Sequence, residues 1–222
     1  RMADTWAATD ALGRQVSTSE QVGGPRKGKF VGIFYFLWIG QHGPQGPFDV
    51  TKVLAQDPDA MKKPDSPLWG PKHAYHHWAE PLFGYYLSTD KWVIRKHAQM
   101  LADAGVDVVI FDCSNKATYR NSYIALCEAF TEARKDGGAT PQIAFLCPFW
   151  DPQSTVRELY DQFYGKGEYS ELWFSWKGKP LILADPDKVD DDIRPFFTFR
   201  RPQPSYFEGP TGPEQWGWLE KH

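Results

Sequence analysis

The feature that most constrains the fold is a repeated alternation of short apolar runs with helix-period segments. KFVGIFYFLWI (29–39), VDVVIFD (106–112), QIAFLC (142–147) and KPLILAD (179–185) are near-continuous apolar stretches of strand length. Such runs belong to strands buried on both faces, the habit of parallel sheets whose crossovers are helices. The segments between them read as helices. Ile94, Ala98 and Leu101 recur at helical spacing between Asp90, a suitable N-cap, and Gly105, a suitable stop. Residues 118 to 136 carry Tyr123, Cys127, Phe130 and Arg134 along one face, and Gly137-Gly138 ends them. Residues 152 to 164 open on Asp151-Pro152 and turn Val156, Leu159, Tyr160 and Phe163 inward. LWFSW (172–176) reads as a short extra strand, VDDDIRPFF (189–197) as a short helix and FTFRR (197–201) as a strand, and a further helix is expected after Glu214. Strand and helix in alternation define an α/β protein with a covered parallel sheet. No GxGxxG or Walker loop follows a strand, so nucleotide binding has no support. The expectation is a (β/α)8 TIM-type barrel. About five core strands are visible where a complete barrel takes about 250 residues, so 29–222 reads as the first part of one. Residues 1–28, polar and irregular, read as an N-terminal arm.

Composition narrows the function. The net charge of -3 and the lack of any basic cluster beyond Lys62-Lys63 and Arg200-Arg201 exclude a nucleic-acid footprint. No run of 18 apolar residues exists to span a membrane, and no signal-peptide pattern opens the chain, although a mature secreted chain would have lost one. Cys113, Cys127 and Cys147 are too few and too widely spaced for a disulfide framework or a zinc knuckle, and read as small buried hydrophobes. Aromatic residues make up 16% of the chain. That excess has two readings: a large core, or a surface for flat apolar sugar faces.

In a parallel barrel the chemistry sits at the C-terminal strand ends. That rule selects Trp38, then Gln41 and His42, after the first strand. It selects Asp112, then Ser114 and Asn115, after the second. Phe149, Trp150 and Asp151 follow the third, Asp185 the fourth, and Arg200 the fifth. Asp112 stands out because a carboxylate at the tip of four apolar residues needs a reason, either chemistry or a cap on the following loop. Asp185-Pro186 and Asp151-Pro152 read first as turn and helix caps. The 40–89 segment is long and rich in Gly and Pro, with a short helix expected in FDVTKVLAQ (48–56). A loop this long is usually functional. It contains HAYHHWAEP (73–81), which has three readings. His73, His76, His77 and Glu80 supply enough ligands for zinc, but the spacing is not HExxH and adjacent histidines do not easily face one ion. As a sugar loop, Trp78 stacks, His76 and His77 bond hydroxyls, and Glu80 accepts or donates a proton. The third reading is a packed structural turn.

The blocks VGIFYFLW, HHWAEPLFGYYLSTDKWVIRKHAQMLADAGVDVVIFDCSN and KPLILAD resemble bacterial glycoside hydrolase family 71/99-like proteins, carbohydrate-active (β/α)8 barrels of the endo-mannosidase type. The resemblance covers most of residues 29–201. It implies a secreted or periplasmic enzyme acting on a polysaccharide or oligosaccharide by carboxylate acid/base chemistry, with no organic cofactor; no residue is selected as a metal ligand. One departure stands out. Such proteins carry a Trp-Asn-Glu-Trp-like segment on a late strand, and EQWGWLEKH (214–222) does not match it. Asp112 and Glu80 are therefore the catalytic candidates within the chain, with a partner carboxylate and the remainder of the barrel expected beyond His222. Trp38, His42, His76, His77, Trp78, Asn115, Trp150 and Arg200 are the substrate-binding candidates. A non-catalytic glycan-binding barrel and a metal-dependent hydrolase built on His73, His76 and His77 remain as alternatives.

Overall fold

In the computed structural model, residues 7–24, 27–40, 46–72, 74, 76–77, 80–202, 212 and 214–216 are described. The elements run in chain order as α1 (Ser19–Val22), β1 (Gly32–Tyr35), β2 (Phe48–Asp49), α2 (Val50–Gln56), β3 (His76–His77), α3 (Lys91–Asp103) and β4 (Val108–Asp112). They continue as α4 (Arg120–Lys135), β5 (Gln142–Leu146), α5 (Gln153–Gln162), β6 (Ser175–Trp176), β7 (Lys179–Leu183), β8 (Thr198–Pro202) and β9 (Gln215–Trp216).

The main sheet has the order β1-β4-β5-β7-β8-β9, with every pair along that path parallel. The order never reverses. A doubly wound sheet must reverse to place helices on both faces. Here strand follows strand in one direction, and right-handed crossovers lay the helices on one face only. The core shows this directly. Val109, Phe111, Ile143, Phe145 and Ile182 pack in one cluster with Ile94 and Ala98 of α3, Phe130 of α4 and Val156 of α5. The alternate residues Val108, Ala144, Leu146, Leu181 and Leu183 form a second cluster on the opposite face. Among the described residues that face takes no helix. The fold is α/β, an open segment of a (β/α)8-type barrel whose helix-free face is the barrel interior.

Local chemistry accounts for the elements. Asp90 caps α3, its carboxylate accepting from the amides of Trp92 and Val93 at 3.0 and 3.1 Å. Arg134 and Lys135 stand in the last turn of α4, where cations favour the helix dipole. β6 breaks the parallel pattern, pairing antiparallel with β7, while Trp173 just before it bridges to Ile143 of β5. The three cysteines are buried free thiols. Burial pushes each of them well above the usual thiol range.

Three expectations need correction. The 29–39 run is not a strand buried on both faces: β1 covers only Gly32–Tyr35 and is at most half-buried. It lies at the sheet's end with one hydrogen-bonded neighbour, so its apolar content is not matched by cover on both sides. The 189–197 helix is a turn followed by a single 3-10 turn at Arg194–Phe196. Pro195 lacks the amide a longer helix requires. Residues 215–216 add a strand beside β8 rather than opening a helix. The short helix expected in 48–56 is present as α2, and the arm at 7–24 contributes no buried side chain.

Candidate functional site

Strand parity sets which residues face the barrel interior. Val108, Ile110 and Asp112 alternate on the interior side, as do Leu181 and Leu183. Asp112 is the last residue of β4 and pairs in register with Leu146. Tyr35 pairs with Phe111, so Phe36, one residue further, comes level with Asp112 on its other side. The carboxylate is thus set into an apolar wall. Its Oδ1 accepts from the Ser114 amide at 3.0 Å. Among the described residues Oδ2 accepts no hydrogen bond. Capping the loop explains one oxygen of Asp112 and leaves the other free for chemistry.

The loops around it carry exposed aromatics. Phe36 and Trp38 meet edge to face at 5.9 Å, and Phe149 and Trp150 do so at the same separation. Trp150 is 66% exposed, although its carbonyl is held by the Lys188 ammonium at 3.0 Å. An indole left in water at a strand tip contributes little to folding, and a flat apolar ligand is what it suits. Lys116 reaches across from the β4 loop to Asp151 at 2.5 Å, so Asp151 is ion-paired, not idle. Asn115 spends its amide on its own loop: Oδ1 accepts from the Ala117 amide and Nδ2 donates to the Tyr119 hydroxyl at 2.7 Å. Asp185 is held by three groups. It accepts from the Asp187 amide at 3.1 Å as a cap, Arg201 meets it at 2.9 Å and the Lys188 ammonium stands at 3.9 Å. That gives Asp185 a structural role.

Arg200 does not end its strand: β8 continues to Pro202. It pairs with Leu183, which pairs with Leu146, which pairs with Asp112. Asp112 and Arg200 therefore stand in one register row across four strands. The guanidinium lies 5.0 Å over the Trp176 ring and donates to the Gln215 carbonyl at 2.8 Å.

The 40–89 excursion starts at this rim and returns to it, since the Ser88 amide donates to the Ile39 carbonyl at 2.8 Å. Inside it, β2 and β3 pair Phe48 with His76 and Asp49 with His77. A Cβ on Gly70 would run into the Phe48 ring, and its φ of +73° suits glycine alone. Asp49 caps α2, accepting from the Thr51 and Lys52 amides at 2.8 and 3.3 Å, and the Tyr85 hydroxyl acts on it electrostatically. Burial alone would raise the Asp49 carboxyl; the Tyr85 hydroxyl, the two amides and the nearby Lys52 ammonium outweigh it and hold the group below its ordinary range. Burial and the Asp49 carboxylate push the Tyr85 phenol up to about 12. Lys52 stands 3.9 Å from Glu80, whose side chain is 55% exposed. No described contact joins Glu80 to Asp112. His42, His73 and Trp78 lie outside the described residues, as do the side chains of His76 and His77. Among the described residues no group of three or more His, Cys, Asp or Glu is placed to hold a metal.

A carboxyl depressed in the folded state stabilises the excursion above its unfolded value of about 3.9 and loses that effect as pH falls through the folded value. Pepsin cleavage within 46–89, measured relative to cleavage in β4–β8, is accordingly expected to rise as pH drops below about 4. Tyr85→Phe removes a hydroxyl that depresses Asp49, so the rise should begin at higher pH. An unchanged onset would mean that the Tyr85 hydroxyl does not act on Asp49.

The rim aromatics were partly legible in advance. Phe36, opposite Asp112, was not singled out, yet its parity with Phe34 would have found it. Trp176 gave no such signal, because its position follows from the β6 insertion.

No family model and no curated protein matches the sequence. Among the solved structures similar to it are two of one enzyme. The GH99 endo-alpha-mannosidase from Bacteroides thetaiotaomicron in complex with BIS-TRIS-Propane is 20% identical at a TM-score of 0.41 over 72% of this chain and 43% of that one. A second structure of the GH99 endo-alpha-mannosidase from Bacteroides thetaiotaomicron is 24% identical at 0.41 over 56% and 40%. The chain spans less than half the length of either.

Proposed function

We propose that this chain carries the substrate face of a glycoside hydrolase acting on a polysaccharide or complex glycan outside the cytoplasm, in the secreted or periplasmic space. The observation that carries the reading is Asp112: a strand-tip carboxylate on the barrel-interior face with one oxygen unengaged among the described residues, between Phe36 and Leu146, with Trp38 and Trp150 exposed on the segments that follow the two flanking strands. Glycosidic cleavage needs two carboxyl groups, about 5–5.5 Å apart for retention or about 6.5–9.5 Å apart for inversion. Asp112 serves as one. Glu80 is the second candidate within the chain, carried on the excursion that leaves from the same rim. In this scheme the rim tryptophans hold the sugar ring against the carboxylate, and the sequence candidates His42, His76, His77, Trp78 and Asn115 are proposed as further substrate contacts.

The test is reducing-end release from a panel of plant, algal and microbial polysaccharides, with and without chelator. Release that chelator leaves intact is the expected result. Release stopped by chelator would move the chemistry to a metal, and glycan binding without release would reduce the face to a binding module.

A further inference from the structure

The arginines of the described residues have matched partners, with one exception. Arg14, Arg95, Arg120, Arg157, Arg194 and Arg201 each meet a carboxylate. Arg134 meets none but is saturated by oxygens: the Thr140 hydroxyl and the carbonyls of Thr140, Pro141 and Glu171. Arg200 has neither arrangement. Its single hydrogen bond goes to the Gln215 carbonyl, and its Nε is buried with no acceptor. The guanidinium lies on the Trp176 face, which orients the cation without neutralising it. The second cation over that ring, Lys177, is already paired with Glu214 at 2.7 Å. A half-buried guanidinium with no counter-charge among the described residues is costly unless something supplies one.

Its position says what that something is. Arg200 shares a register row with Asp112, and the two residues between them, Leu146 and Leu183, form an apolar floor on the interior face. Three interstrand steps of about 4.8 Å separate the two ends, on the order of 14 Å. An oligosaccharide spans that distance and a single sugar ring does not. We propose that Arg200 is an anion subsite, and that the glycan acted on at Asp112 is acidic, bearing a carboxylate or sulfate ester some residues away from the scissile bond. This rests on the glycan reading above and adds the charge of the substrate. A planar guanidinium pre-oriented on an indole is suited to either anion, since it presents paired N–H donors to two oxygens.

The experiment is calorimetric titration of the protein with three probes of equal length: an oligouronate, a sulfated neutral oligosaccharide and the neutral oligosaccharide itself. One or both acidic probes should bind at least about tenfold more tightly than the neutral one, the size expected of a charge-assisted hydrogen-bonded pair. The preference should weaken with added salt. Which acidic probe binds identifies the anion. Arg200→Gln should abolish the preference, bringing the acidic probes to the affinity of the neutral one, while Arg200→Lys should retain part of it. If Arg200→Gln does not fold, inorganic sulfate titrated into the wild-type complex supplies the readout: it must displace the acidic probe competitively. Equal binding of all three probes, or no displacement by sulfate, overturns the acidic-substrate inference and leaves the glycan reading in place. Binding of none overturns both.

Discussion

Asp112→Asn should abolish glycan cleavage while leaving the fold intact. Acid, base or nucleophilic participation by a positioned carboxyl contributes about 10²–10⁴-fold in rate, so turnover should fall by at least a hundredfold with little change in KM. The fold should survive because the Asn amide oxygen can still accept from the Ser114 amide, the one side-chain hydrogen bond of Asp112 among the described residues. Loss of stability should stay within about 1 kcal/mol. The two halves of this expectation separate the competing roles of the residue. A loop cap whose charge is incidental would lose neither rate nor stability on this change. A catalytic carboxylate loses rate alone. Activity within roughly twofold of wild type would remove Asp112 from the chemistry.

The sheet was legible because buried parallel strands must be apolar on both faces, and β4, β5 and β7 are. The same rule failed at 29–39. There the residues are as apolar as in the central strands, but edge position is a property of the whole sheet and not of the segment. The termini of α3 were legible from Asp90 and Gly105 because capping is local chemistry. The site was legible only in part. Asp112 could be found from a carboxylate at the tip of an apolar run, and its free Oδ2 could not. Asp185 is selected by the same rule, although the Pro186 after it already marks a turn cap. The structure adds Arg201, 16 residues away in sequence, which clamps Asp185 and has no counterpart at Asp112 among the described residues. Arg200 was named as an end-of-strand residue for the wrong reason. Its interest comes from register with Asp112 and from the lack of a counter-charge, and neither can be seen before strands are paired.

The aromatic excess was ambiguous in the sequence, and the structure divides it into two populations with opposite expected behaviour. Phe145 belongs to the first. It has no exposure and lies at the centre of a ring cluster, meeting Phe111 at 5.1 Å, Tyr123 at 5.3 Å, Tyr164 at 5.9 Å and Phe163 at 6.0 Å, all edge to face. Those rings join β4, β5 and α4 to the segment that follows α5, so the cavity left by Phe145→Ala cannot close by moving one element. The expected cost is about 3–5 kcal/mol. For a chain of this size that corresponds to a fall in Tm on the order of 10 °C. Trp150 belongs to the second population. At 66% exposure its truncation to Ala should change stability by no more than about 0.5 kcal/mol, while glycan affinity should drop measurably. Thermal denaturation and glycan titration of both variants read the two quantities independently. If Trp150→Ala proves as destabilising as Phe145→Ala, the rim tryptophan is structural and the aromatic case for a sugar-binding face is lost. If Phe145→Ala is nearly neutral, the helix-side cluster is not what holds this sheet to its helices.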